Sequence, residues 1–522
     1  MKKNIFLFAV VLLTAFVGVS CSNEDILSEV PTPNPSKEVA ENIVTFTATL
    51  DAKGGSGMRA VSASGATTWV ANEEILISYK NTSNVSQEAK ATVESVDASG
   101  KATITAPLVD PKDGCEVNFY YPYESWKMTS TIDFASGQDG TLSTLSQYFD
   151  RAMDDSYITF VPYTLSVSGG VATLPSGINM VNQNLIWKLS FTDGTTPITS
   201  AITKLEIHAS AGGITDYTIT PTTPITDYFY VAMGDLSNDD IVITAYTSTG
   251  MYRRAKSNIT LEMGKMYTTQ NLALNKVELG KLFGADGNVY ANATEVAAAS
   301  TTAIGVVAYI GTDNFTENGK TIGGSDFVGH GLVLCLKNAA SEVCWSNVPW
   351  TSEFAGQEVV DTYNLKRFTN VSGYTNTATL AAKTDAETDY PAAYQAKNYT
   401  GLIAPATGTT GWFLPSAQQW VKMIEGLGEL ADGAPNFDGT WFDNSHSAVN
   451  KWEAALSKAG SGKYDSMTGY RWYWSSSEYD NNRAVCLYID ARGTGGDYGF
   501  KWSSDTKLEA YYLYRVRPVL AF

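Results

Sequence analysis

The side chains best able to do chemistry are few and scattered along the sequence. The sequence contains only three histidines, His208, His330 and His446. Its cysteines beyond the N-terminal region are Cys115, Cys335, Cys344 and Cys486. Zinc sites use such ligands at short, recurring spacings that these positions do not reproduce. We therefore expect no bound metal, and at most one disulfide among the last three cysteines.

No other stretch predicts catalysis. The sequence lacks a nucleophile elbow, a P-loop and a dinucleotide fingerprint. Its glycine-rich segments "GGSDFVGHG" and "DARGTGGDYG" lack the strand-to-helix placement that a phosphate loop needs. None of its 54 acidic residues forms a pair distinguished by context. We expect no cofactor and no enzymatic activity.

Two aromatic and polar segments, "RWYWSSSEYDNNRAV" and "NFDGTWFDNSHS", are candidates for ligand binding. Their candidate residues are Trp441, His446, Trp472, Asp480, Asn481, Asn482 and Arg483. Aromatic rings can stack on a ligand, and the polar loop can hydrogen-bond to hydroxyls. Alternating aromatics in a strand more often fill a core, however, and "YDNN" is also a good turn. Core packing is therefore favoured for the tryptophans, and the role of the loop stays open.

The stretch "VTFTATLDAKGGSGMRAV" begins with a period-two alternation typical of a half-buried strand over 43–50. Its apolar face consists of Val44, Phe46, Ala48 and Leu50. A glycine-rich turn follows, and it contains Arg59, the first arginine of the chain. The turn is either an ordinary loop with a solvated arginine or a site where the chain is cut.

The N-terminus predicts export. Residues 1–21 combine two lysines, an apolar run too short to span a bilayer and a final Cys21, as in a bacterial lipoprotein signal. Residues 22–41 are acidic and proline-rich, as in a flexible tether. Within them, Glu24 and Asp25 resemble the signal that sends Bacteroidetes lipoproteins to the outer face of the outer membrane. We expect lipidation at Cys21, the alternative being an ordinary signal peptide.

Composition favours a β-rich binding protein. The 522 residues are enough for about three domains. Aromatic residues make up 12% and charged residues 17%, a mixture that favours β-structure. The net charge of −18 argues against nucleic acid as a partner. The alternation of 43–50 recurs at 75–79, 117–121, 185–191 and 241–245, and no helix is expected before about residue 280.

Two helices are predicted beyond residue 277, in a region of α+β character. Ser416 and Gln419 in "PSAQQWVKMIEGLGEL" form a capping box that begins the first helix. The second, "SAVNKWEAALSKAG", is expected to end at Gly460. Their apolar stripes are read as core contacts.

Residues 42–276 resemble the fimbrillin-like subunits of Bacteroidetes type V pili. The resemblance rests on "NIVTFTATL", "TTWVANEEILISY", "VNFYYPY" and "LEMGKMYTT", in family order. Residues 277–522 are similar to a C-type-lectin-like module in "GWFLPSAQQW", "WYWSSSEYDNNRAVCLYID" and "YRVRPVLAF", without the tripeptides of calcium-dependent sugar binding. The implied fold is mostly β, with two tandem transthyretin-like β-sandwiches at 42–165 and 166–276 followed by an α+β C-type-lectin-like adhesion domain at 277–522.

The resemblance also implies a route of assembly. In this family an arginine-directed protease removes the N-terminal segment of a surface lipoprotein, and another subunit's strand fills the groove left by the first strand. A cut here between Arg59 and Ala60 would remove strand 43–50 and the lipid anchor together. We expect a fimbrium tip subunit with three partners. A neighbouring pilin is bound by β-strand addition, and the outer membrane is bound through the lipid on the precursor. The third partner is a glycan or protein ligand. The alternative is a permanently anchored binding lipoprotein.

Overall fold

The computed structural model describes most of the chain beyond residue 41. The described residues are 42–51, 69–123, 137–148, 152–154, 156–182, 185–209, 217–311, 316–322, 325–328, 330–348, 371–431, 441–443, 446–491, 499–508 and 513–522. Cys21, Arg59 and Ala60 lie outside these ranges. Within them, no helix has the length and apolar character needed to cross a bilayer.

The mostly β fold that the sequence predicts is confirmed, beginning with a ten-stranded sheet. Its strands are β1 (Ile43–Leu50), β2 (Glu74–Lys80), β3 (Ser86–Val96), β4 (Ala102–Val109), β5 (Glu116–Tyr121), β6 (Ala152–Asp154), β7 (Tyr163–Thr164), β8 (Ser166–Ser168), β9 (Val171–Thr173) and β10 (Met180–Asn182). They follow the order β10-β6-β5-β2-β3-β4-β1-β9-β8, and β7 pairs with β5. The sheet therefore continues past residue 165, where the sequence places the end of the first domain, because β9 pairs with β1.

Two short helices lie in this part of the chain, where the sequence predicts none. They are α1 (Leu142–Tyr148) and α2 (Ser156–Thr159). Both are too short to display a helical period in the sequence. α1 is held by tertiary packing, because Leu145 is buried against Ile186 and Ala232. The prediction of no helix before residue 280 is therefore wrong.

Eight further strands form the second sheet. They are β11 (Leu185–Asp193), β12 (Thr196–Pro197), β13 (Ile202–Ala209), β14 (Tyr217–Ile219), β15 (Phe229–Met233), β16 (Leu236–Thr247), β17 (Gly250–Leu261) and β18 (Met266–Lys276). Their order is β12-β11-β18-β17-β16-β13-β14, and β15 pairs with β11. The alternating segments at 185–191 and 241–245 lie in β11 and β16, as predicted.

The C-terminal region adds three sheets and six helices among its described residues. Its strands are β19 (Leu282–Gly284), β20 (Val289–Tyr290), β21 (Ala303–Ile310), β22 (Thr316–Ile322), β23 (Ser325–Val328), β24 (Gly331–Cys335), β25 (Ala340–Val343), β26 (Trp441–Phe442), β27 (Arg471–Glu478), β28 (Arg483–Asp490), β29 (Gly499–Thr506), β30 (Tyr514–Val516) and β31 (Val519–Ala521). Its helices are α3 (Ala293–Ala298), α4 (Gly373–Ala381), α5 (Ala386–Asp389), α6 (Pro391–Lys397), α7 (Ala417–Gly426) and α8 (Ser447–Ser457). The sheets follow the orders β20-β19-β21-β24-β31, β22-β23 and β25-β30-β27-β28-β29-β26.

Helices α7 and α8 fill the main core of this region. Ser416 caps α7, and the Gln419 side chain accepts from the backbone N–H of Ser416, which completes the predicted capping box. Trp420 of α7 stacks on Trp452 of α8 with ring centroids 6.0 Å apart. α8 ends at Ser457, three residues before Gly460. Both predicted apolar stripes are therefore core contacts.

The C-terminal region covers one face of the second sheet. Met251 of β17 is buried in an apolar cluster with Phe283, Val333 and Phe522. Beside it, Arg253 is fully buried and donates from Nε to the Gly287 carbonyl at 3.1 Å. Its Nη2 donates to a second carbonyl of the C-terminal region, that of Gly408, at 2.9 Å. Burial lowers the pKa of Arg253 to about 10, so the guanidinium remains charged at neutral pH.

We expect Arg253→Ala to loosen this junction. The variant leaves a cavity and two carbonyls without their donor, a combination that costs about 2–5 kcal/mol. Urea unfolding followed by circular dichroism measures the loss. Lys256→Ala, at an exposed position of the same strand, is the control and should change stability by less than about 0.5 kcal/mol. Equal effects of the two substitutions would contradict a junction held by Arg253.

Candidate functional site

Strand β1 has the alternation that the sequence predicts. Its burial pattern is strictly exposed and buried in turn. Val44, Phe46, Ala48 and Leu50 all point into the core of the first sheet. Phe46 stacks on Phe119 of β5 with ring centroids 5.9 Å apart. The four side chains therefore contribute to the core itself.

The strand lies inside the sheet and is paired on both sides. It runs antiparallel to β4 over all eight residues, from Ile43 opposite Val109 to Leu50 opposite Ala102. On its other side it runs parallel to β9, where Phe46 lies opposite Ala172. Removing β1 would leave two facing strand edges with an apolar floor between them.

The apolar face of β1 is worth a large part of the stability of a domain. Full burial of Val44, Phe46 and Leu50 contributes about 5–9 kcal/mol. The net stability of a whole domain is only about 5–15 kcal/mol. A first sheet without β1 therefore needs another strand in the same place in order to stay folded.

Trp472 belongs to a row of stacked rings. It lies on β27 between Tyr488 of β28, at 4.2 Å and 9°, and Tyr514 of β30, at 5.1 Å and 14°. Both faces of the indole therefore lie against protein rings, which agrees with the core packing favoured from the sequence. Trp474 is fully buried. The exposed member of the row is Tyr470, whose side chain is 50% accessible and which the sequence analysis did not single out.

The loop Asp480–Arg483 closes the hairpin between β27 and β28. One carboxylate oxygen of Asp480 accepts bonds from the backbone N–H groups of Asn482 and Arg483, at 2.9 and 2.8 Å. The other accepts from the Arg483 guanidinium. Partial burial raises the pKa of Asp480, but the hydrogen bonds from Arg483 and Asn482 outweigh it and lower the pKa overall. These contacts give the loop a structural role. Asn481 is exposed. Ligand binding by the loop stays a prediction.

The second predicted ligand-binding segment, which contains Trp441 and His446, leads into the start of α8. His446 occupies the N-cap position with a left-handed backbone, φ 56°. Capping comes from Asp443, whose carboxylate accepts from the N–H groups of Ser447 and Ala448 at 3.0 and 2.9 Å. Trp441 lies on β26, opposite Lys501. A ligand role for Trp441 and His446 also stays a prediction.

A polar cluster that the sequence did not predict lies at the junction of the second sheet and the C-terminal region. Glu206 of β13 accepts from Tyr246 Oη at 2.9 Å, and its carboxylate lies 2.7 Å from His330 Nε2. Lys204 Nζ lies 2.8 Å from the other oxygen of Glu206. Burial raises the pKa of Glu206, but hydrogen bonds from His330 and Lys204 lower it to about 2. Burial also lowers the pKa of His330, so a neutral imidazole faces an ionised carboxylate.

A weak signal for this cluster exists in the sequence. In "KLEIH" the polar residues Lys204, Glu206 and His208 alternate with apolar ones, so all three lie on one strand face. The alternation does not reveal that the C-terminal region covers that face. His208 and His330 are far apart in the sequence, with 122 positions between their sequence numbers, but they meet in space.

The described cysteines form no disulfide. Cys115, Cys335, Cys344 and Cys486 are all buried as thiols. Burial raises the pKa of Cys335 to about 12. A thiol in such surroundings is a poor nucleophile, because the thiolate is the reactive form.

Structural neighbours of the chain include fimbrial and candidate cell adhesion proteins of Bacteroides. A fimbrial protein from Bacteroides ovatus matches 92% of this chain and 100% of its own length, at 16% identity and a TM-score of 0.37. A candidate cell adhesion protein from Bacteroides fragilis matches 44% of this chain and 91% of its own length, at 11% identity and a TM-score of 0.27. One from Bacteroides ovatus matches 46% of this chain and 97% of its own length, at 12% identity and a TM-score of 0.29. No family model and no curated protein matches the chain. At such low identities and TM-scores, the functional argument depends on the geometry of the chain itself.

We expect Phe46→Ala to destabilise the first sheet by about 3–5 kcal/mol, because it removes a fully buried ring that packs on Phe119. Thr47→Ala, on the exposed face of the same strand, should cost less than about 1 kcal/mol. Thermal unfolding of both variants provides the comparison. If both substitutions cost the same, the apolar face of β1 does not hold the sheet together.

Proposed function

We propose that this chain is an adhesive fimbrial subunit that assembles by protease-triggered strand exchange and occupies the tip of the fimbrium. Cleavage after Arg59 separates β1 from the rest of the chain, and a strand of a neighbouring subunit takes its place. The same cut releases the subunit from the lipid at Cys21. Residues 277–522 then contact a host, microbial or matrix ligand.

The position of β1 is the observation that carries this proposal. β1 precedes Arg59, whereas the other described strands follow it. After a cut at Arg59 only non-covalent contacts hold β1, which pairs with β4 along its whole length. An incoming strand with the same alternation can satisfy both the backbone ladder and the apolar pockets, which is the logic of β-augmentation.

The C-terminal strand supports a terminal position in the fimbrium. β31 pairs with β24, and Val519 also bridges to Phe413. Phe522 is buried in the apolar cluster that contains Met251 and Phe283. β31 is therefore occupied in its own sheet. Tyr470, exposed beside the aromatic row, supplies a surface for ligand contact.

Cleavage is tested on the native surface protein. Mass spectrometry of the outer surface fraction should find a mature N-terminus at Ala60, because removal of β1 starts assembly. In vitro, an arginine-specific protease should produce the same terminus, and Arg59→Lys should block it. Arg483→Lys, a matched change at the hairpin, should leave cleavage intact. A surface protein found only as an acylated chain beginning at Cys21 would establish the permanently anchored binding lipoprotein instead.

Strand exchange is tested with the nicked chain. A labelled peptide of sequence 43–50 should bind after cleavage and not before it. A peptide carrying Phe46→Ala should bind at least tenfold more weakly, since each factor of ten corresponds to about 1.4 kcal/mol. The Thr47→Ser peptide is the control, because residue 47 faces outwards. Equal binding of the three peptides would contradict insertion at the position of β1.

A further inference from the structure

Three metal-ligating side chains converge at the junction between the second sheet and the C-terminal region. Glu206 and His208 are two residues apart on β13, so their side chains leave the same face of the strand. His330 directly precedes β24 of the C-terminal region. One ligand atom from each of the three residues lies within 4.8 Å of the other two. Two of the three histidines of the whole sequence are thus brought together across the junction.

The imidazole of His330 is buried beside the Glu206 carboxylate. Its side chain is 3% exposed, and Nε2 lies 2.7 Å from the Glu206 carboxylate. Because Nε2 is the nitrogen that faces Glu206, an ion shared by the two residues would displace the proton from Nε2 and coordinate that atom, leaving the proton on Nδ1. This Nδ1 is buried and has no hydrogen-bond partner among the residues that the structure describes. A buried imidazole nitrogen without a partner is uncommon in native structures.

We propose that Glu206, His208 and His330 form a binding site for a divalent transition-metal ion of the zinc class. Two imidazole nitrogens and one carboxylate oxygen are a ligand set typical of Zn²⁺, and water takes the fourth position. With metal–ligand bonds of about 2.0–2.1 Å, tetrahedral ligands are separated by about 3.4 Å. Atoms within 4.8 Å of one another reach that separation by side-chain rotation. The site accordingly requires no rearrangement of the two sheets.

The groups around Glu206 allow a metal ion to replace the Lys204 ammonium as the partner of the carboxylate. Lys204 Nζ lies 2.8 Å from Glu206, and its side chain is 30% exposed. The ammonium can therefore turn towards solvent when a metal ion neutralises the carboxylate. Tyr246 donates to the same carboxylate at 2.9 Å, which orients the ligand as outer hydrogen-bond donors do in metal sites.

A bound metal ion would cross-link two parts of the chain. Glu206 and His208 belong to the second sheet and His330 to the C-terminal region, so the ion would join them by coordination bonds. A ligand that binds only the folded state raises stability in proportion to the logarithm of its concentration above Kd. This inference depends only on the junction, and it holds whether or not β1 is exchanged.

The test measures zinc binding by the full-length chain, purified in detergent without a histidine tag. Equilibrium dialysis with elemental analysis should find one zinc ion per chain. Co²⁺ should bind in its place and give the visible absorption of a four-coordinate site. Zn²⁺ should raise the unfolding temperature, and EDTA should reverse the rise. Absence of stoichiometric zinc at micromolar concentration would overturn the proposal.

Substitutions locate the site. His208→Asn and His330→Asn should each weaken zinc binding at least tenfold, whereas His446→Asn is the matched control and should leave it unchanged. Asn suits the left-handed backbone of residue 446. Loss of binding in the control, or retention in both site variants, would contradict the assignment.

A gain of affinity gives a test that misfolding cannot imitate. Lys204→Met removes the ammonium that competes for Glu206, and it should tighten zinc binding at least threefold. Unchanged or weaker binding in this variant, with the unfolding temperature preserved, would show that the ion does not bind at Glu206.

Discussion

The first sheet depends on one constraint, which is that the first strand of the fold lies in its interior. β1 pairs with β4 and also with β9, more than 100 residues later in the sequence. A sheet that loses an outer strand has as many edges as before, but a sheet that loses β1 acquires two new edges and an uncovered core. Exposed edges of this kind bind other strands readily. The arrangement that makes β1 necessary for stability is therefore the same one that would leave a gap bordered by two strand edges if β1 were removed.

The junction of the second sheet with the C-terminal region follows a different principle. Apolar contacts around Met251 and Phe283 exclude water, so the polar groups inside the junction interact in a medium of low dielectric constant. Arg253 satisfies two carbonyls there, and Glu206 accepts bonds from three neighbours. Each such contact requires a specific relative position of the two parts. The polar centre therefore fixes the orientation, and the apolar surround supplies most of the free energy.

What the sequence could predict depends on how local the signal is. The alternation of β1 and the capping box at Ser416 are complete within ten residues, and the structure confirms both. The continuation of the first sheet through β8 to β10 depends on pairing between distant segments, which leaves no period in the sequence. The meeting of His208 with His330 has the same cause. The helix α1 was missed because its stability comes from a packing partner, Ile186, in another sheet.

The first and second sheets are joined through the segment that contains α1. Described contacts between them include a small apolar cluster around Leu145, the paired hydrogen bonds of Gln138 with the backbone of Ala232, at 2.7 and 2.8 Å, and the bond from the Tyr230 N–H to the Gly140 carbonyl, at 2.9 Å. The cluster around Met251 and Phe283 contains more buried side chains, and the guanidinium of Arg253 lies beside it over the Phe283 ring. The polar and apolar contacts of the junction together therefore fix the C-terminal region relative to the second sheet.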